Sequence, residues 1–224
     1  MSDLTPASKP TLLVIAGPNG SGKTTLTRRM VDLSWLRAPC VVDPDAIMAS
    51  LPGGFRASTN APRAALAAGR LRYRALAVGQ DIVWETVFAA HADPGRFMRA
   101  ARDRGYHTHL LFVATRDPAI NAYRVARRYM EGGHPIPVDT IVDRYYRSMT
   151  NLSRSLDDFD LVHVLDNSVD ARAPALECVV DNIARRLWLA DSVEDWVRVA
   201  TENLRAVRKP HRTESPTCPP YFSP

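Results

Sequence analysis

The stretch Gly17-Pro18-Asn19-Gly20-Ser21-Gly22-Lys23-Thr24-Thr25 constrains this chain more than any other. It fits G-x-x-x-x-G-K-[ST], the phosphate-binding loop that joins a strand to a helix. Both flanks agree. The preceding Thr11-Leu12-Leu13-Val14-Ile15-Ala16 is a short apolar run of the kind that forms a buried parallel strand. The following Thr25-Leu26-Thr27-Arg28-Arg29-Met30 reads as the first turns of a helix. The glycines let the backbone turn its N–H groups inward around an anion, and the helix N-terminus adds a positive field. Lys23 is expected along the β- and γ-phosphates, and the Thr24 hydroxyl on Mg²⁺. An ordinary glycine-rich turn would leave the strand–loop–helix context unexplained. Gly17, Pro18, Asn19, Gly20, Ser21, Gly22, Lys23, Thr24 and Thr25 are therefore read as a nucleoside triphosphate site.

A chain of 224 residues sits at the upper end of one compact domain. Residues 1–209 are expected to form that domain, and the Pro-rich, polar segment 210–224 to be a disordered tail. Residues 1–6 carry no apolar run that could serve as a signal peptide, and no stretch approaches transmembrane length, so a cytoplasmic protein without a membrane partner is expected. Cys40, Cys178 and Cys218 are odd in number and far apart, which indicates neither a disulfide framework nor a zinc site. The net charge of +5 comes almost wholly from arginine, since Lys9, Lys23 and Lys209 are the only lysines. Arginine near a P-loop suits phosphate clamping, and no aromatic-rich RNA motif or basic recognition helix accompanies it. Nucleic acid is accordingly not the expected partner.

Helical and extended patterns alternate after the loop, which predicts an α/β fold with a mainly parallel sheet of five strands, at residues 11–17, 40–43, 81–85, 107–114 and 161–165. Helices are expected at 24–33, 62–78 and 93–104, then in a longer region from 118 to 156, and finally at 173–189 and 193–207. Ligands should gather beyond the carboxyl ends of the strands, which makes polar residues there candidates.

The second strand ends Val41-Val42-Asp43-Pro44-Asp45. Two acids beside a triphosphate can hold magnesium through water or take a proton from an acceptor, although Asp45 could instead cap a helix opening at Ala46. The third strand ends Ile82-Val83-Trp84-Glu85-Thr86, where Glu85 reads either as a metal-side carboxylate or as a ligand of the acceptor's hydroxyls. Trp84 and Phe88 beside it read equally as stacking platforms or as core. Arg124-Val125-Ala126-Arg127-Arg128, followed by Gly132-Gly133-His134 and a second helix start near Val138, resembles a lid over the phosphates, spanning about 118–150. Arg124 and Arg128, spaced i, i+4, are expected to face one partner, with Arg127 on a neighbouring face. His134 could donate to phosphate, and Arg144 or Arg147 could reach the lid or acceptor. Asp166-Asn167-Ser168 after the last strand reads as a base-side loop or a plain turn. His91, His107, His109 and His163 show no ligand spacing, so no metal beyond Mg²⁺ is indicated.

Together, Gly17–Thr24, Asp43-Pro44-Asp45, Glu85-Thr86, Arg124 to Arg128 with Gly132-Gly133-His134, Arg144-Tyr145 and Asp166-Asn167-Ser168 resemble the zeta-toxin family of P-loop kinases, in its small chromosomal branch. The likeness runs from about Thr11 to Ser168. The P-loop is common to many families; the lid pattern R-V-x-x-R-x-x-x-G-G-H is far more specific. The resemblance implies a kinase that uses ATP or GTP to phosphorylate a sugar hydroxyl of a UDP-N-acetyl-hexosamine such as UDP-N-acetylglucosamine. It implies Asp45 as catalytic base, Glu85 at the acceptor, lid arginines on the phosphates, and an antitoxin as a separate protein. Two features depart from the family pattern. Glu85-Thr86-Val87 stands where many relatives carry a further hydroxyl or glycine, and the second lid arginine falls at His134 or comes from elsewhere.

The residues thus predict phosphoryl transfer, with Lys23, Arg124 and Arg128 on the nucleotide, Thr24 on the metal, Asp45 as base, and Asp43, Glu85, Thr86, His134 and Arg144 toward the acceptor. The rival expectations are a regulatory P-loop ATPase without a small acceptor, a nucleic-acid-directed kinase, and a kinase for a different small molecule.

Overall fold

The computed structural model describes residues 9–31, 36–90 and 95–207. In chain order the elements are β1 (Thr11–Ala16), α1 (Lys23–Val31), β2 (Cys40–Val42), α2 (Pro44–Ser50), a 3-10 turn (Gly54–Arg56), α3 (Asn60–Ala77), β3 (Ile82–Thr86), α4 (Arg96–Asp103), β4 (His107–Ala114), α5 (Pro118–Met130), α6 (Val138–Ser155), a second 3-10 turn (Leu156–Asp158), β5 (Leu161–Asp166), β6 (Ala175–Asp181), β7 (Arg186–Leu189), α7 (Asp195–Ala200) and α8 (Glu202–Val207). They build one seven-stranded sheet in the order β2-β3-β1-β4-β5-β6-β7. The five expected strands are present and all pair in parallel.

The strand count needs correction. Residues 173–189 are not a helix: β6 and β7 form an antiparallel hairpin that extends the sheet beyond β5. Leu176, Val179, Val180, Ile183 and Leu187 recur at intervals of three or four and so mimic a helical stripe. The open edge of β5 supplies backbone partners that outweigh this local pattern, and Arg185 at φ +56 turns the chain back. The segment 210–224, expected to be disordered, lies outside the described residues. No helix among the described residues is long and apolar enough to cross a membrane.

Both faces of the central strands are buried, as a parallel sheet requires. On one face Leu12, Val14, Leu110, Phe112, Val162 and Val164 meet side chains from α3, α4, α6, α7 and α8. On the other, Leu13, Ile15, Val83, Leu111 and Val113 meet Leu26 and Met30 of α1. Each such buried aliphatic or aromatic side chain contributes about 1.5–3 kcal/mol. Phe88 belongs to the first cluster and the partly buried Trp84 packs against it, which decides their reading as core.

Two helices open with the same device. Asp43 and Asp117 are N-caps whose carboxylates accept from the backbone N–H two residues on (2.9 and 2.8 Å), each followed by proline in the first turn. α5 ends in a Schellman motif, in which Gly133 N–H donates to Arg128 O (2.9 Å) and Gly132 N–H to Tyr129 O (3.0 Å). Gly132 sits at φ +95, a conformation glycine adopts without strain. The predicted break between α5 and α6 therefore falls where the Gly-Gly pair put it. The inward stripe of α6, Ile141, Tyr145, Ser148 and Leu152, then returns the chain across the sheet.

Candidate active site

The P-loop is held open from outside. Asn121 of α5, fully buried, donates to Asn19 O (2.6 Å), and Asn167 after β5 donates to Ser21 O (2.8 Å). Thr115 donates in turn to the Asn121 side-chain oxygen, and Tyr145 of α6 donates to Thr115 O (2.6 Å). A side chain at Gly17 (φ +145) would fall on the Val113 carbonyl, and one at Gly22 (φ +101) would lie 2.5 Å from Asn167 Nδ2. Glycine is thus required at both positions by space as well as by backbone conformation. Inside the loop the Ser21 hydroxyl is buried and has no hydrogen-bond partner among the described residues, an orphan of the kind a bound phosphate satisfies.

Lys23, 8% exposed, folds back to donate to Pro18 O (2.8 Å). Burial pushes its ammonium down to about 8; Glu85, Asp45 and Asp43 oppose that shift, and Arg128 adds to it. These charged groups lie within electrostatic reach of the lysine.

The end of β3 places Glu85, 6% exposed, beneath α1. Its Oε1 accepts from the Thr24 hydroxyl and its Oε2 lies against the Thr27 hydroxyl, both at 2.7 Å. Thr24 thus spends its proton on Glu85 and keeps lone pairs free for a cation. Asp43 is held above the usual carboxylate range by burial and by the negative charge of Glu85. A threonine oxygen and two nearby acids fit Mg²⁺, which is commonly held by one or two carboxylates together with the substrate's phosphates. Among the described residues no group of three or more His, Cys, Asp and Glu could hold a cation alone.

Asp43, and not Asp45, caps α2, which corrects the capping alternative for Asp45. Asp45 lies in the first turn, exposed, and among the described residues its carboxylate accepts no hydrogen bond. It remains within electrostatic reach of both Lys23 and His134.

The lid residues divide, which corrects the expectation that Arg124 and Arg128 face one partner. Arg128 lies near Lys23 and His134. Arg124 points to the loop after β5, where it donates to Asn167 O (2.8 Å) and pairs with Asp170. Arg127 lies 3.9 Å from the same carboxylate. Asp170, two residues past Asp166-Asn167-Ser168, draws the first arginine away. His134 stacks on Phe55, with ring centroids 4.0 Å apart and planes 6° from parallel. Burial pushes its imidazole below the usual range, opposed by Asp45 and reinforced by Arg128 and Arg144. Arg144 approaches Asn19 Oδ1 at 3.4 Å, and Arg147 pairs with Asp143 on its own helix. The Thr86 hydroxyl accepts from Phe88 N–H (3.2 Å) and keeps its proton. Thr25 lines a second cleft of about 290 Å³ with Gly20, Gly22, Arg124, Asn167 and Asp170; none of Asp45, Glu85 or His134 lines it.

Thr27, Phe55 and Asn121 were not read from the sequence. Thr27 stands one turn from Thr24 and was open to inference. Asn121 and Phe55 carry no local signal, because their partners are distant in the chain.

The zeta-toxin family model matches residues 2–173. The chain belongs to the zeta-toxin family. This family of P-loop phosphotransferases thereby gives the chain its enzyme class, and the match extends from before β1 to just past β5. The zeta-toxin chain is similar to one from the PezAT chromosomal toxin–antitoxin system of Streptococcus pneumoniae, with TM-score 0.60 and 18% identity over 75% of this chain and 71% of that one. It is also similar to a chain of the AvrRxo1-ORF1:AvrRxo1-ORF2 complex crystallised with ATP, with TM-score 0.61 and 15% identity over 78% of this chain. It spans only 59% of that second chain, less than two thirds of its length. At these identities the likeness is one of fold. No functionally curated protein matches the sequence.

Proposed function

We propose that this chain transfers the γ-phosphate of ATP or GTP to a sugar hydroxyl of a UDP-N-acetyl-hexosamine. The observation that carries the reading is Asp45. Asp43 takes over the helix cap, so a carboxylate that accepts no hydrogen bond among the described residues lies within electrostatic reach of the P-loop lysine. An acid with no structural duty at this place suits a general base.

In the proposed reaction, Lys23 leaves Pro18 O for the β/γ oxygens of the triphosphate. Thr24, Glu85 and Asp43 are the residues that would hold Mg²⁺, which would supply neutralisation of charge on the transferring group. The two threonine contacts of Glu85 support a place on the metal side ahead of a direct contact with the acceptor. Asp45 orients the acceptor hydroxyl and takes its proton as the new O–P bond forms; the bond from the γ-phosphorus to the bridging oxygen breaks and the nucleoside diphosphate leaves. Arg128 meets the charge on the γ-phosphoryl from the lid, and Arg144 supports it beside Asn19. The cleft lined by Arg124, Asn167 and Asp170 takes the nucleoside, so Arg124 serves binding on the base side. Thr86 retains a proton to donate to the acceptor. Family membership and the fold shared with a toxin–antitoxin chain support a separate antitoxin as partner.

The test is transfer of labelled γ-phosphate to a panel of nucleotide sugars, with Asp45→Ala as control. The expected result is labelled UDP-N-acetyl-hexosamine from the wild type and a loss of at least about a hundredfold in the variant. Near-normal turnover by Asp45→Ala removes the base assignment; hydrolysis that no sugar accelerates removes the acceptor.

A further inference from the structure

The segment between α2 and α3 presents one aromatic ring outward. Gly53 (φ +79) and Gly54 (φ +49) occupy left-handed conformations in succession, which folds the chain sharply before Phe55. Asn60, fully buried at the start of α3, fixes this turn by donating to Pro52 O (3.0 Å) and Gly54 O (2.8 Å). Phe55 is therefore rigidly mounted on the arm whose first helix carries Asp45. Its ring lies flat on His134, the residue that follows the Gly132-Gly133 joint between α5 and α6. Among the described residues the His134 imidazole makes no hydrogen bond, so the stack is what orients it. His134 in turn lies within electrostatic reach of Asp45, Arg128 and Arg144. An otherwise glycine-jointed lid thus meets the acid-bearing arm through a pair of parallel rings.

We propose that Phe55 is a positioning residue: stacked on His134, it latches the α5–α6 joint onto the arm that carries Asp45 and sets how closely Arg128 and Asp45 approach a bound triphosphate. Phe55 touches neither nucleotide nor acceptor in this role. Its effect is on the population of the closed lid. A ring pair of this kind shifts such an equilibrium by about two- to tenfold, enough to matter where lid closure assembles the site. The proposal deepens the kinase reading and rests on it only for its kinetic arm.

The deciding experiment is hydrogen exchange on the full chain with Mg²⁺ and a non-hydrolysable ATP analogue, which requires no acceptor. In Phe55→Ala the amides of Glu131, Gly132 and Gly133, which donate to the last carbonyls of α5, should exchange about two- to tenfold faster, with β1 and β4 unchanged. Phe55→Tyr, which keeps the ring, should restore protection. In the transfer assay Phe55→Ala should lower kcat by about two- to tenfold, and adding His134→Ala should cost no more, because both substitutions break one contact. Unchanged exchange at Glu131, Gly132 and Gly133 in Phe55→Ala, no rescue by Phe55→Tyr, or additive losses in the double variant would each overturn the latch. If the wild type labels no acceptor, the kinase reading falls, and the exchange result alone decides the latch.

Discussion

Burial and charge pull Lys23 in opposite directions. The enclosed loop disfavours its ammonium, while Glu85, Asp45 and Asp43 favour it, and the balance leaves it near 8. A triphosphate binds the charged form, so affinity should be full below pH 8 and should weaken as pH rises through that value, by up to about tenfold per unit. Titrating an ATP analogue by calorimetry from pH 7 to 10 checks this. A flat profile across pH 8 would show that the lysine is not the titrating group, and Lys23→Met should bind weakly without the inflection. The same scale explains why Asp43 and Asp45, two residues apart, differ in role. Proline at 44 starts the helix and the residue before it becomes the cap; the residue after it gives its N–H to that cap, while among the described residues its carboxylate accepts no hydrogen bond.

At the scale of elements, the P-loop is a strand-to-helix connection that depends on two neighbours. α5 grips it through Asn121, and the turn after β5 grips it through Asn167. Removing Asn121 takes the buried donor from the Asn19 carbonyl, while the Thr115 hydroxyl keeps Asp117 O (3.1 Å) as acceptor. Asn121→Ala should therefore cost about 1–3 kcal/mol of stability, read as a lower urea midpoint with unchanged slope, and should weaken nucleotide binding as the loop relaxes. A variant as stable as the wild type would mean the loop holds its own shape. The lid division is also a matter of elements. Helical spacing allows Arg124 and Arg128 to face one partner, but the loop after β5 brings Asp170 against the first of them only.

Across the whole molecule, β4 and β5 carry a pair of histidines that bond to each other inside the fold, His109 Nε2 and His163 Nδ1 at 2.8 Å. Burial pushes His163 down to about 4 and His109 well below its usual value, so both are neutral when folded. Each titrates near 6.5 in the unfolded chain, so the unfolded state binds more protons once pH falls below that. Stability should be complete above about 6.5 and lost progressively toward 4, on the order of 1–2 kcal/mol per histidine at pH 5. Urea midpoints at pH 7 and pH 5 measure this, and a double variant, His109→Gln with His163→Asn, should flatten the dependence; a slope unchanged in that variant would sink the assignment. The sequence by itself determined the P-loop, the five parallel strands, the start of α5 at Pro118 and the Gly-Gly lid joint, because each is written in neighbouring residues through backbone preference and periodicity. It also determined the family. Only the tertiary structure decided that residues 175–189 are strands, that Trp84 and Phe88 are core, that Arg124 leaves Arg128, that Glu85 holds Thr24, and that Phe55 meets His134. In each of these the deciding partner lies far away in the chain, and short-range preference carries no information about which distant surface will bury a ring, satisfy a backbone edge or neutralise a charge.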